Sequence, residues 1–222
     1  RGDPMSRLHL DRPWLSLDLG RDMPVLSWAV NRPGQVLARR ILWREVRNAD
    51  LPEDLDVEDW LDQDLAAREA RDAVCFLTSC DIGTYCEARA TAGAVTARAV
   101  ATVGLSNAER VGRRLPPSAH GWGTINIAVT LDTGLTDAAR LEAMSIATQA
   151  RTVAISEAGL HLATGIATGT GTDCIAIAAP EGTTRYAGLH TEAGEAVGRA
   201  VLDAVRQGAQ AWARPAKEVE HG

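Results

Sequence analysis

The last long segment of the chain restricts its fold more than any other. From Thr191 to Trp212, Ala193, Val197, Ala200, Val201, Ala204, Val205, Gly208 and Ala211 recur at three- and four-residue intervals and mark one face of a helix. That face is made of small and branched side chains. Aromatic residues are 4% of the chain, so the core is expected to consist mainly of small and aliphatic groups. A second long helix starts at Thr136 or Asp137 and runs to Ala158, where Gly159 is placed to end it. A shorter one spans 57–71, on the spacing of Val57, Leu61, Leu65 and Ala66.

Between the helices the pattern changes to period two. Cys86, Ala88, Ala90 and Ala92 alternate with Glu87, Arg89 and Thr91, which predicts a strand pair over 84–102 broken near Gly93 and Ala94. Val25–Val30 and Val36–Trp43 read as strands joined at Asn31-Arg32-Pro33-Gly34, where Pro and Gly together signal a turn. Further strands are expected at Ala73–Thr78, Thr124–Leu131, Leu162–Thr168 and Cys174–Ala179. Strands outnumber helices and several neighbours are close enough to be hairpins. The expected fold is therefore α+β, a largely antiparallel sheet with two long helices packed on it. The expected organisation is an N-terminal extension (1–23), with Met5 as the start, one domain (24–213) and a frayed polar tail (214–222).

Composition removes several function classes. The net charge is −6, and Arg39-Arg40 and Arg110 with Arg113-Arg114 are too short to form a basic face for nucleic acid. No apolar run approaches a membrane span and the first residues lack a signal core, so a cytoplasmic protein is expected. Cys75, Cys80, Cys86 and Cys174 make no CxxC pair, and their spacing is not that of a zinc site, so no metal or other cofactor is expected. The Ala-rich helices could pack against a second subunit, giving a homo-oligomer, or simply against the sheet.

Five segments hold candidate chemistry. Ala167-Thr168-Gly169-Thr170-Gly171-Thr172-Asp173 is rich in hydroxyls and permissive backbone and closes on a carboxylate, which exceeds what a turn needs. It lacks the Gly-Lys-[Ser/Thr] of a phosphate loop, and Cys174 stands where a dinucleotide fingerprint has its third glycine. Gly188-Leu189-His190-Thr191-Glu192 places His190 beside the cap of the last helix, a position suited to general-base work or to no function at all. Ser106 and Glu109 have capping-box spacing, which leaves Asn107 and Arg110 to point elsewhere. In Gly121–Ile127, Asn126 lies on the polar side of an apolar strand. In the long helix, Ser145, Gln149 and Thr152 either line a cleft or face solvent, and Thr148, Arg151 and Glu157 are further polar residues among its alanines. G-x-S-x-G and H-E-x-x-H are absent, and no Ser/His/Asp triad can be read from spacing.

At these segments the chain resembles the adenosylcobinamide amidohydrolase (CbiZ) family. The resemblance rests on VGLSNAERVG (103–112), GTINIAV (123–129), EAMSIATQARTVAISEAG (142–159), ATGTGTDCIAIAAP (167–180) and YAGLHTEAGEAVGRAV (186–201), in that order. It extends over roughly 25–212 and is weaker in the N-terminal third, where the family's small-residue turn is replaced by Asn31-Arg32-Pro33-Gly34. The resemblance implies hydrolysis of the amide between the corrin side chain and (R)-1-amino-2-propanol, giving adenosylcobyric acid for corrinoid salvage. The partner it implies is a soluble corrinoid. On that reading Asp173 and His190 are the expected base and acid. Thr172 or Thr170 is a candidate nucleophile, with Cys174 less suited because of its strand. The backbone around Gly169, Thr170, Gly171 and Thr172 supplies oxyanion donors, with Thr168 beside it. Asn107, Arg110 and Asn126 hold the corrin's peripheral amides. The competing readings are a corrinoid-binding accessory protein without hydrolysis, a general small-amide amidase and a structural or assembly module.

Overall fold

The computed structural model of the chain describes residues 7–47, 50, 55–116 and 123–219, with side chains as far as residue 214. Strands β1 (Arg7–Asp11), β2 (Trp14–Ser27) and β3 (Gly34–Glu45) come first, followed by helix α1 (Val57–Ala67) and strand β4 (Val74–Thr78). Next come β5 (Cys86–Ala92), β6 (Val95–Val103), the two-residue β7 (Ala108–Glu109) and β8 (Ile125–Leu131). Helix α2 (Asp137–Ala158) precedes three two-residue strands, β9 (His161–Leu162), β10 (Gly165–Ile166) and β11 (Gly169–Thr170). Strand β12 (Cys174–Ala178) and helix α3 (Glu192–Val219) complete the chain.

One eight-stranded sheet organises the molecule, in the order β4-β3-β2-β12-β8-β6-β5, with β1 also on β2. The β3/β4 and β12/β8 pairs are parallel and the others antiparallel. The α+β fold with a mostly antiparallel sheet and two long helices is therefore present. The hairpin at Gly93 has the predicted form, with Ala92 opposite Val95 and the glycine at φ +54°. Thr136 caps α2 by accepting from the Ala139 N–H, and Gly159 ends it in the left-handed region. Helix α1 stops at Ala67, short of the expected Arg71, because Glu69 adopts φ +53°.

Four expectations change. The segment 7–23, expected as an extension, supplies β1 and most of β2. β2 lies inside the sheet, with β3 on one edge and β1 and β12 sharing the other. The single strand expected over 162–168 is a short β9/β10 hairpin, followed by β11 paired with β7. That pairing also removes the capping box, because Ala108 and Glu109 are extended and no helix follows Ser106. The last helix continues to Val219, past Trp212 and into the expected tail, and residues 220–222 lie outside the described residues.

Helices α2 and α3 cover one face of β5, β6, β8 and β12. Ala97, Ala99 and Ala101 meet Ala196, Ala200 and Ala204 within a single buried cluster. The predicted stripe of α3 is buried from Ala193 to Gly208, and only Ala211 is exposed. The opposite face of the sheet closes on itself. Leu15, Leu17, Ile41, Trp43 and Phe76 from one end share a core with Val100, Ala128 and Ala176 from the other. This curl brings β4 to β8, which lies four places away in the sheet order, and the Asn126 amide donates to the Leu77 carbonyl at 2.8 Å. α1 seals a third cluster around Trp14, Leu42, Leu61 and Leu65. There the Arg44 guanidinium lies over both Trp14 (5.3 Å) and Trp60 (5.1 Å).

Candidate functional site

The Gly/Thr segment lies at the edge of the sheet where β8 and β12 begin. Pairing of β11 with β7 sets Gly169 opposite Glu109 and Thr170 opposite Ala108. Beyond that pair, the Gly171 N–H donates to the Asn107 carbonyl at 3.2 Å. Residues 104–107 sit tightly against Gly123. A side chain on Gly123 would come within 2.7 Å of the Ser106 nitrogen and 2.8 Å of the Asn107 nitrogen.

The Asp173 side chain is turned inward and is 7% exposed. One oxygen accepts from the Thr170 hydroxyl and from the Ile125 N–H at 3.2 Å. The other accepts from the Thr170 N–H at 3.0 Å and pairs with the Arg151 guanidinium of α2. Burial pushes the Asp173 carboxyl up from its ordinary value, and Arg151 and the Thr170 and Ile125 donors act against that rise. Arg151 also reaches the Thr168 carbonyl. Gly169 is needed at this crossing, because a β-carbon there would collide with the Arg151 guanidinium and the Asp173 carboxylate.

The other members of the segment are held as well. The Thr172 hydroxyl donates to the Gly123 carbonyl at 3.1 Å, and the Thr124 hydroxyl donates to the Thr172 carbonyl at 2.8 Å. Thr168 accepts from the Val111 N–H at 2.7 Å, and Arg110 donates to the Ile166 carbonyl at 2.9 Å. The Trp28 indole donates to the Asp173 carbonyl at 2.8 Å while 46% of the residue stays exposed.

Two cavities meet at Gly171. One, of about 620 Å³, is lined by Trp28, Val30, Phe76, Leu77, Thr124, Asn126, Thr172, Asp173 and Cys174 among others. The second is an open groove of about 1440 Å³ lined by Ser106, Asn107, Glu109, Arg110, Arg113, Arg114, Leu162, Gly171 and Trp212 among others. Thr168, Gly169, Thr170, Gly171, Thr172 and Asp173 are the loop itself; of the four predicted site residues outside it, Asn107, Arg110 and Asn126 line the cavities that meet at Gly171.

His190 is the exception. It is exposed, in the turn before α3, where the Thr191 hydroxyl caps the helix by accepting from the Gly194 N–H. The next residue, Glu192, accepts from the Ala94 N–H at the β5–β6 turn, close to where Ala97 pairs with Leu131 at the end of β8. Asp173 touches Ile125 at the start of β8, about 20 Å of strand away. The expected meeting of Asp173 and His190 in one pocket does not occur.

The cysteines are free thiols. Burial pushes the Cys174 thiol up to about 11, and it pushes Cys75 and Cys80 up as well, so these sulfurs stay protonated and are poor nucleophiles near neutrality. Among the described residues, no three His, Cys, Asp or Glu side chains come together in a group that could hold a metal. Ser145 and Gln149 on α2 are exposed and bond to each other, and the Thr148 and Thr152 hydroxyls turn back to carbonyls of their own helix. Arg151 is the α2 residue that reaches the Asp173 carboxylate, while Ser156 donates to the Ala167 carbonyl at 3.5 Å. The signal of Arg151 in the sequence is one arginine flanked by the inward-facing Ala147, Ala150 and Ala154. Trp28 and the groove-lining position of Glu109 have no local signal in the sequence. The local pattern assigned Glu109 to a helix cap.

Among the described residues no helix is long and apolar enough to cross a membrane. No protein of curated function matches the chain. Residues 3–216 match the model of the family described as adenosylcobinamide amidohydrolase, CbiZ.

Proposed function

This chain belongs to the adenosylcobinamide amidohydrolase family, and from that premise we propose that it hydrolyses the aminopropanol amide of adenosylcobinamide at the loop 169–173. The products are adenosylcobyric acid and (R)-1-amino-2-propanol, and the reaction serves corrinoid salvage. The observation that carries the reading is the junction of two cavities at Gly171, inside one of the segments that carry the family likeness. The groove, at about 1440 Å³, is larger than the roughly 300–1000 Å³ usual for small-molecule sites, as a tetrapyrrole requires.

Amide hydrolysis needs a proton acceptor for the attacking water or nucleophile, donors for the oxyanion and a proton for the departing amine. Of the loop N–H groups, those of Thr170 and Gly171 are already committed to Asp173 and Asn107, which leaves the region of Thr172 to face the oxyanion. Asn107 and Arg110 line the groove and suit the peripheral amides of a corrin. Asn126 lines the smaller cavity, with one of its two amide N–H groups committed to the Leu77 carbonyl. Asp173, with both oxygens taken, acts in this scheme by holding the loop in shape, and His190 takes no part.

The test is incubation with adenosylcobinamide followed by mass spectrometry. A product lacking the aminopropanol arm is expected. Corrinoid binding without loss of the amine would overturn hydrolysis in favour of an accessory role. Turnover of simple amides with no corrinoid preference would point to a general amidase.

A further inference from the structure

We propose that Glu109 is the residue that takes the proton from the attacking water and delivers it to the departing amine. This rests on the hydrolysis proposed above. Two carboxylates line the two cavities, Asp173 in one and Glu109 in the other. Their surroundings differ in a way that separates their roles. Both oxygens of Asp173 are occupied, by two backbone N–H groups, a hydroxyl and a guanidinium. A general base must keep a lone pair for the proton it accepts, and Asp173 has no position open on the cavity side.

Glu109 is half-buried, and its oxygens share a single donor, the Leu115 N–H, at 3.2 and 3.3 Å. It has no ion-pair partner among the described residues, although Arg110, Arg113 and Arg114 line the same groove. Its location is set by the β7/β11 pair, which puts it opposite Gly169, while Asn107 holds the Gly171 N–H. Ala108, between them, turns into the core. Glu109 therefore lines the groove beside the loop, two residues along the β7/β11 ribbon from the Asn107–Gly171 contact at which the groove reaches it.

The proton balance is complete with this one group. The Glu109 carboxylate removes a proton from water as the water oxygen bonds to the amide carbon. The C–N bond then breaks, and the protonated Glu109 gives its proton to the amine nitrogen. The products are a carboxylic acid and 1-amino-2-propanol, and Glu109 returns to the carboxylate.

A purely structural role has to be separated from this one, because Glu109 also holds the 110–115 segment through Leu115. Glu109→Gln keeps a carbonyl oxygen for the Leu115 N–H and removes the base. The experiment compares wild type, Glu109→Gln and Glu109→Asp on adenosylcobinamide, with kcat and KM measured separately and corrinoid affinity followed by absorbance titration. Expected for Glu109→Gln are wild-type corrinoid affinity, little change in KM and a fall in kcat of about 10²- to 10⁴-fold. Glu109→Asp should recover part of the loss. The proposal is overturned if Glu109→Gln turns over at the wild-type rate, or if binding and turnover are lost together. A wild type that binds the corrinoid but releases no amine sinks the hydrolysis reading itself, a result distinct from an active wild type with an active Gln variant.

Discussion

The Arg151 guanidinium, from the middle of α2, meets the Asp173 carboxylate at the one point in the loop where Gly169 leaves room for both. Their side chains are 13% and 7% exposed, so this ion pair is screened little by solvent. It fixes a helix, a loop and the first residue of β8 together, because Asp173 also accepts from Ile125.

Removing one partner strands the other. Asp173→Asn or Arg151→Met should each lower unfolding stability by about 3–5 kcal/mol. Urea denaturation reads this directly. Loss of under about 1 kcal/mol, the value of a surface pair, would show that the pair is not buried in solution.

Gly169→Ala should impair the same joint with no change of charge. The added methyl falls on the Arg151 guanidinium and the Asp173 carboxylate, so the loop or the pair must shift. A destabilisation of about 1–3 kcal/mol is expected, typical of overpacking. Activity on adenosylcobinamide should fall with it, and a Gly169→Ala protein with wild-type stability and turnover would refute the fitted loop.

His190→Asn should leave both stability and turnover close to wild type. The side chain is exposed, and surface changes of this kind usually stay within ~0.5 kcal/mol. Steady-state kinetics on adenosylcobinamide decides it: a large fall in kcat would bring His190 back into the chemistry.

Gly208→Ala tests the close approach of α3 to the sheet. Its β-carbon would lie 2.5 Å from Cγ2 of Val103 and 2.8 Å from the Val103 β-carbon. The expected cost is about 1–3 kcal/mol, which exceeds the gain in helix propensity of nearly 1 kcal/mol for replacing glycine by alanine. A thermal melt at or above the wild-type midpoint would contradict that packing.

Stability should also decline in alkali. The Cys174 thiol is pushed by burial from an ordinary value near 9 up to about 11. A group whose folded value is raised contributes fully below its unfolded value, and that contribution disappears as pH rises through the folded one. Urea midpoints should therefore fall between about pH 9 and 11, and Cys174→Ala should flatten part of that slope. An unchanged slope would mean the thiol is not buried as described. Cys75, Cys80 and Cys86, also pushed up by burial, contribute to the remainder.

The sequence by itself determined the parts of this protein whose signals are local. The α3 stripe, the Thr136 and Gly159 caps of α2 and the period-two alternation on either side of Gly93 depend on residues a few positions apart. So does the Gly/Thr segment with its likeness to an amidohydrolase family, and Asn107, Arg110 and Asn126 line the cavities beside it. Tertiary structure alone decided which groups meet across long separations. It made residues 7–23 part of the sheet, set Glu109 against Gly169, brought Arg151 to Asp173 and left His190 at the far end of β8. The reason is physical. Periodicity and capping report the geometry of one element, whereas a buried ion pair or a short strand pair depends on how elements pack, and equal spacing in the chain can end at opposite ends of a sheet.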